Sequence, residues 1–141
     1  MMDSGVPLML IVSVLIIGVL LIVVIALTKK ASPQLDVNKY RLKWLAVDKQ
    51  LKRDEPSSYQ LAVLNGDKLV DQALRDAAVK GETMGERLKT AKDTFSDINA
   101  IWTAHKLRNR IAHETDAQVS FEEARRALAS FKQALKDIGA I

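Results

Sequence analysis

The chain is expected to be all-α: one N-terminal apolar helix long enough to cross a membrane, then a bundle of four or five amphipathic helices. Three observations carry this expectation. Residues 6–28 hold no charged side chain. Beyond residue 34, apolar residues recur at helical spacing, and no stretch alternates apolar and polar long enough to form a strand. Helix start and stop signals divide that region into pieces of helical length.

The first segment, VPLMLIVSVLIIGVLLIVVIALT, has Ser13 and Thr28 as its only polar side chains. A bilayer core needs roughly 20 apolar residues of helix. Its β-branched residues are modest helix formers in water, but in lipid every backbone group must be satisfied internally, which favours the helix. A cleaved signal peptide would have a basic start and an apolar stretch of about 7–15 residues. Here Met1–Gly5 carries no Lys or Arg, and Lys29 and Lys30 follow the run directly, so an uncleaved anchor is expected. Ser13 and Gly18 are not four apart, so no small-residue seam for span dimerisation is present.

Whole-chain averages conceal this division. The 141 residues carry a net charge of +4, and the mean hydropathy is zero with a pI near 9.4. Residues 29–53 hold eight basic residues against Asp36 and Asp48, a net +6, whereas residues 54–141 sum to −1. The basic excess therefore flanks the apolar segment. It predicts a cytoplasmic C-terminal part and an N-terminus outside, as in a single-pass protein of a cell inner membrane. It also predicts attraction to anionic lipid near Lys29, Lys30, Lys39, Arg41 and Lys43, at about 1 kcal/mol per residue near the surface. The expected organisation is a short extracytoplasmic N-terminus (1–5), a transmembrane helix (6–28), a basic juxtamembrane linker and helix (29–53), and a helical bundle (54–141).

Within 34–53, Val37, Tyr40, Trp44, Val47 and Leu51 form a helical stripe, which Asp54-Glu55-Pro56 breaks. Tyr40 and Trp44 suit either a core or the headgroup region, where aromatics are favoured. Ser57-Ser58-Tyr59-Gln60 reads as a capping box opening a second helix to about Val79, stopped by Gly81. Thr83-Met84-Gly85-Glu86 is a second such box and opens a short helix through Leu88 and Ala91. Ser96 starts the next, through Ile98, Ile101, Ala104, Leu107 and Ile111. Glu114 to Val119 is a polar connection. Ser120-Phe121-Glu122-Glu123 caps the last helix, whose stripe is Ala124, Leu128, Phe131 and Leu135 and whose end is Gly139.

The chain has no cysteine, which removes disulfides, thiol nucleophiles and cysteine-ligated metals. No Walker or dinucleotide-binding motif is present. His113-Glu114 lacks the second histidine of a zinc protease motif, and His105 with His113 makes a poor metal site without a third ligand, so no metal and no cofactor are expected. Both histidines fall in Ala104-His105-Lys106-Leu107-Arg108-Asn109-Arg110-Ile111-Ala112-His113-Glu114. On an ideal helix Arg108 and His113 are about 140° apart, so they converge only if the helix loosens or Arg108 reaches round.

This segment resembles the HEPN family, whose motif is an arginine, usually followed by a polar residue, then a histidine after four to six positions, near the end of the helix before the last. Arg108-Asn109-Arg110-Ile111-Ala112-His113 fits that pattern and that placement. The likeness covers about Ser57 to Ile138, and the whole chain is similar to short single-span bacterial membrane proteins with this module. The resemblance implies a homodimer and a metal-independent endoribonuclease acting on RNA. His113 would move the proton of the 2′-hydroxyl, Arg108 would stabilise charge on the scissile phosphate, and Asn109 would orient either. His105 lies outside the family motif and is an auxiliary contact.

The same residues also admit plainer roles. Arg108 could pair with Asp67 or Asp71 of the second helix, and His113 could simply answer the helix dipole. Trp44 and Trp102 suit core filling better than base stacking. The near-neutral bundle has no basic track once residues 29–53 are set aside, which favours the alternative of a non-catalytic membrane-tethered helical dimerisation or interaction module.

Overall fold

The computed structural model describes residues 5–28 and 33–141, and among them every regular element is helical. The contacts divide the chain into two units, residues 1–32 and 33–141. Lys29 and Lys30, and the expected extracytoplasmic residues before Gly5, lie outside the described residues.

The described residues of the first unit form one helix, α1 (Gly5–Thr28). Its stretch Pro7–Leu27, 21 residues with none buried, is long and apolar enough to cross a membrane. At 1.5 Å per residue it is about 30 Å long, the thickness of a bilayer's hydrocarbon core. The Ser13 hydroxyl donates to the Met9 carbonyl at 2.8 Å, so the one polar side chain inside the run is satisfied within the helix.

The second unit holds α2 (Val37–Asp48), α3 (Pro56–Asp76), α4 (Met84–Thr90), a 3-10 turn (Lys92–Thr94), α5 (Ile98–His113) and α6 (Phe121–Asp137). The central helix is α3, which packs against α2, α4, α5 and α6. Val63, Val70 and Leu74 of α3 share a sealed core with Leu88, Ile101, Phe131 and Leu135. The α6 stripe read from its spacing is buried at all four positions, Ala124, Leu128, Phe131 and Leu135.

Compact packing begins at Pro33, and α2 belongs to it. The helix is shorter than the stripe over 34–53 suggests, because Asp36 caps its start by accepting from the Lys39 amide at 3.0 Å. Tyr40 and Trp44 are buried in the bundle, which answers the choice between core and headgroup. Burial first, then its bond to the Asp76 carboxylate, pushes the Tyr40 phenol well above its ordinary pKa. Lys39 and Lys43 flank the Tyr40 ring, and Lys43 donates to Gln72 of α3 at 3.0 Å.

Three helix ends differ from their sequence signals. Helix α3 starts at Pro56 instead of after a Ser57 cap, since proline's missing N–H costs nothing in the first turn. Ser58 accepts instead from the Lys52 amide at 3.0 Å, and Gln60 donates to the Ala117 carbonyl at 2.7 Å. The same helix ends before Gly81: Ala78 takes the left-handed conformation, φ 58°, and the Val79 amide reaches back to the Leu74 carbonyl at 3.0 Å. Helix α5 is capped by Asp97, which accepts from Ala100 at 2.9 Å, while Ser96 bonds Asp137 of α6. The Ser120–Glu123 capping box and the Gly139 stop (φ 73°) form as expected.

Where α3 crosses α6, Gly66 lets the helices meet. A Cβ there would lie 2.7 Å from Phe131 Cδ2 and 3.0 Å from Leu128 Cδ2. Phe131 is fully buried and has nowhere to retreat. Gly66→Ala should therefore destabilise the bundle by about 1–3 kcal/mol in urea melts, despite alanine's better helix propensity. An unchanged or raised midpoint would show that the crossing is looser than described.

Candidate functional site

The chemistry gathers on the α3 face that carries Asp67 and Asp71, four residues apart and so on one side of the helix. Asp67 is almost sealed, with 3% of its side chain exposed. A buried carboxylate is tolerated only when it is paired and bonded. Two side chains of α5, three residues apart, supply this. His105 Nδ1 lies 2.7 Å from Asp67 Oδ1, and Arg108 Nε lies 3.2 Å from Oδ2. The first is a hydrogen bond. The second is an ion-pair approach whose N–H is shielded from solvent and not aligned on an acceptor.

An ionised carboxylate only accepts, so Nδ1 must carry the proton toward Asp67. In the neutral imidazole Nε2 is then the lone-pair nitrogen. The ring is buried and meets Trp102 edge to face at 5.9 Å. Arg108 Nη1 donates to Asn109 Oδ1 at 2.9 Å, so the guanidinium is held on two sides while 37% of the side chain stays exposed.

One turn along α3, Asp71 receives Arg87 of α4, with Nε and Nη2 each 2.8 Å from Oδ1. Arg87 is buried, and its Nη1 also donates to the Gly81 carbonyl. Arg75 approaches Asp71 at 3.5 Å. The two aspartates thus tie α3 to α5 and to α4. Between these helices opens a cleft of about 790 Å³, lined by Asp67, Asp71, Arg87, His105, Arg108 and Asn109 among others.

The structure therefore brings Arg108, Asn109 and His105 into one cleft. His113 is placed elsewhere: it is the last residue of α5, exposed, and absent from the cleft lining. Its phase explains this. It is about 140° from Arg108 but only about 20° from Lys106 on an ideal helix, and α5 stays helical through His113. Arg110 faces α6, donating to the Gln118 carbonyl at 3.1 Å and to Glu123 at 3.0 Å. The Ser120 amide first, then Arg110, holds the Glu123 carboxyl below its ordinary pKa.

Of the two partners open to Arg108, Asp67 is the one taken. Spacing alone does not single out the central role of Asp67. The available signal was a pair of aspartates one turn apart in an amphipathic helix, matched by His105 and Arg108 three apart in another. Among the described residues, no group of three His, Asp or Glu side chains could hold a metal ion. No family model, curated protein or solved structure matches the chain.

Proposed function

We propose that the chain is a single-pass membrane protein with its bundle in the cytoplasm, and that the bundle is HEPN-like and cleaves RNA without a metal, with His105 as the base in place of the motif's His113. The observation that carries this reading is His105 held by the buried Asp67 in the same cleft as Arg108 and Asn109. The basic flank of residues 29–53 supports the orientation and contact with anionic lipid.

In this reading His105 Nε2 takes the proton of the RNA 2′-hydroxyl, and Asp67 stabilises the imidazolium that forms. The 2′-oxygen attacks the adjacent phosphorus while Arg108 neutralises the added charge. The P–O5′ bond breaks, and the imidazolium returns the proton to the leaving 5′-oxygen. The products are a 2′,3′-cyclic phosphate and a 5′-hydroxyl. Asn109, whose Oδ1 holds Arg108, keeps its amide N–H groups for a phosphate oxygen.

The test is the full chain in phosphatidylcholine nanodiscs, incubated with RNA in excess chelator. Cleavage leaving 2′,3′-cyclic phosphate ends is expected, and Arg108→Ala should slow it by about 10²–10³-fold. No cleavage by the intact chain, or equal rates in the variant, would remove the enzyme reading. A non-catalytic dimerisation or interaction module is favoured by one observation, the commitment of Arg108 Nε to Asp67 as a brace between α3 and α5. That module predicts a homodimer in sedimentation and no RNA cleavage.

A further inference from the structure

Residues 54–141 carry a net charge of −1, and it is not evenly spread. In the cleft, Asp67 and Asp71 occupy His105, Arg108, Arg87 and Arg75. On the other flank of α5, a groove of about 620 Å³ runs along α6, with a floor of small residues that includes Ala104 and Ala127. Its walls carry Lys106, Arg110 and Arg126 against the single acid Glu123, which Arg110 already engages. Lys106 and Arg126 are exposed and have no ion-pair partner among the described residues. His113, also exposed, continues the Lys106 ridge, offset by about 20° on an ideal helix.

From this we infer that the α5–α6 groove is the track for the RNA strand, resting on the ribonuclease reading for its occupant. Free cations over a small-residue floor suit a chain of phosphodiesters that needs close approach and charge neutralisation. A second copy of the same groove would set Lys106, Arg110 and Arg126 against their like, which is unfavourable. The ridge of Lys106 and His113 separates groove from cleft by one helix width, about 10–12 Å. A strand crossing α5 over that ridge would place one phosphate at Arg108 and its neighbours at Lys106, His113 and Arg126. The groove has no aromatic side chain, so binding is through the backbone, indifferent to sequence and sensitive to salt.

The test separates binding from cleavage by using a 2′-O-methyl oligouridylate, which lacks the attacking hydroxyl. The full chain is held in phosphatidylcholine nanodiscs. Two to three neutralised phosphates predict a log–log salt slope of about −1.5 to −2, roughly tenfold weaker binding at 200 mM than at 50 mM salt. Lys106→Glu with Arg126→Glu should weaken binding at least tenfold at low salt and flatten the slope, with an unchanged thermal melt. Lys39→Glu with Arg41→Glu should leave both nearly intact. Unchanged binding in the groove variant, or loss confined to the Lys39/Arg41 variant, would overturn the groove assignment. So would loss of attraction to phosphatidylglycerol vesicles in the groove variant with RNA binding unaffected. Cleavage of ordinary RNA by a chain whose groove variant binds normally would sink the track and spare the enzyme. Groove-dependent binding without any cleavage would support the track and sink the enzyme.

Discussion

Asp67→Ala should cost the bundle about 3 kcal/mol, at the lower end of what breaking a buried ion pair costs. The carboxylate is nearly sealed and serves two partners. Its removal leaves His105 buried without an acceptor and Arg108 Nε without its carboxylate. One feature limits the damage: Arg108, with 37% of its side chain exposed, has a route to water. For a unit of this size the loss corresponds to a fall in melting temperature of roughly 10–20 °C. Asp67→Asn keeps the volume and an acceptor for Nδ1, so it should cost about 1–2 kcal/mol. A loss below 1 kcal/mol for alanine would show that the Asp67 cluster is solvated and not a brace. Cleavage adds a second reading of the same variants. Asp67→Asn should fold and still lose most activity, because a neutral amide does little for the imidazolium. A purely structural Asp67 would leave the asparagine variant active.

The two histidines should separate sharply. His105→Asn places an amide nitrogen near the position of Nδ1, so the bond to Asp67 can persist while the base is lost. It should lower the cleavage rate by about 10²–10⁴-fold, the usual contribution of a positioned acid–base group. His113→Asn, at the exposed end of α5, should change the rate at saturating RNA by less than tenfold. Its effect should lie in RNA binding, through the ridge it shares with Lys106. The opposite outcome, with His113 essential and His105 dispensable, would return the chemistry to the Arg108/His113 motif and make the Asp67–His105 pair a structural one. Circular dichroism melts of both variants keep loss of fold apart from loss of catalysis.

Much of the architecture follows from short-range pattern. The uncharged run over 6–28 specifies one long apolar helix, and the buried stripe of α6 follows directly from Ala124, Leu128, Phe131 and Leu135. Ser120 and Glu123 announce their capping box because both partners lie within one turn. The misplaced boundaries arise where two local signals compete. Pro56 and Ser57 both suit a helix start, and proline prevails because it already fits the first turn. Ala78 and Gly81 both stand near the end of α3, and the helix closes on Ala78 because Val79 bonds back to Leu74. Neither contest is visible in periodicity.

The order and lengths of the helices, the apolar segment and the adjacency of Arg108 and Asn109 are local properties. They depend on a 3.6-residue period and on contacts within a turn, so a linear string of residues contains them. Which carboxylate meets which cation is a different matter. The sequence offers Arg108 two partners on α3, and it makes His105 only an auxiliary contact beside His113. The choice of Asp67 over Asp71, and of His105 over His113 for the cleft, depends on how α5 is rotated and seated against α3 and α4. That rotation is set by side chains far apart in sequence, Ile101 and Ala104 against Val63, Val70 and the α6 stripe. Once the core fixes the angle, the charges fall where the helix faces carry them: two aspartates closing the cleft, and Lys106 and Arg126 along the groove with no ion-pair partner among the described residues.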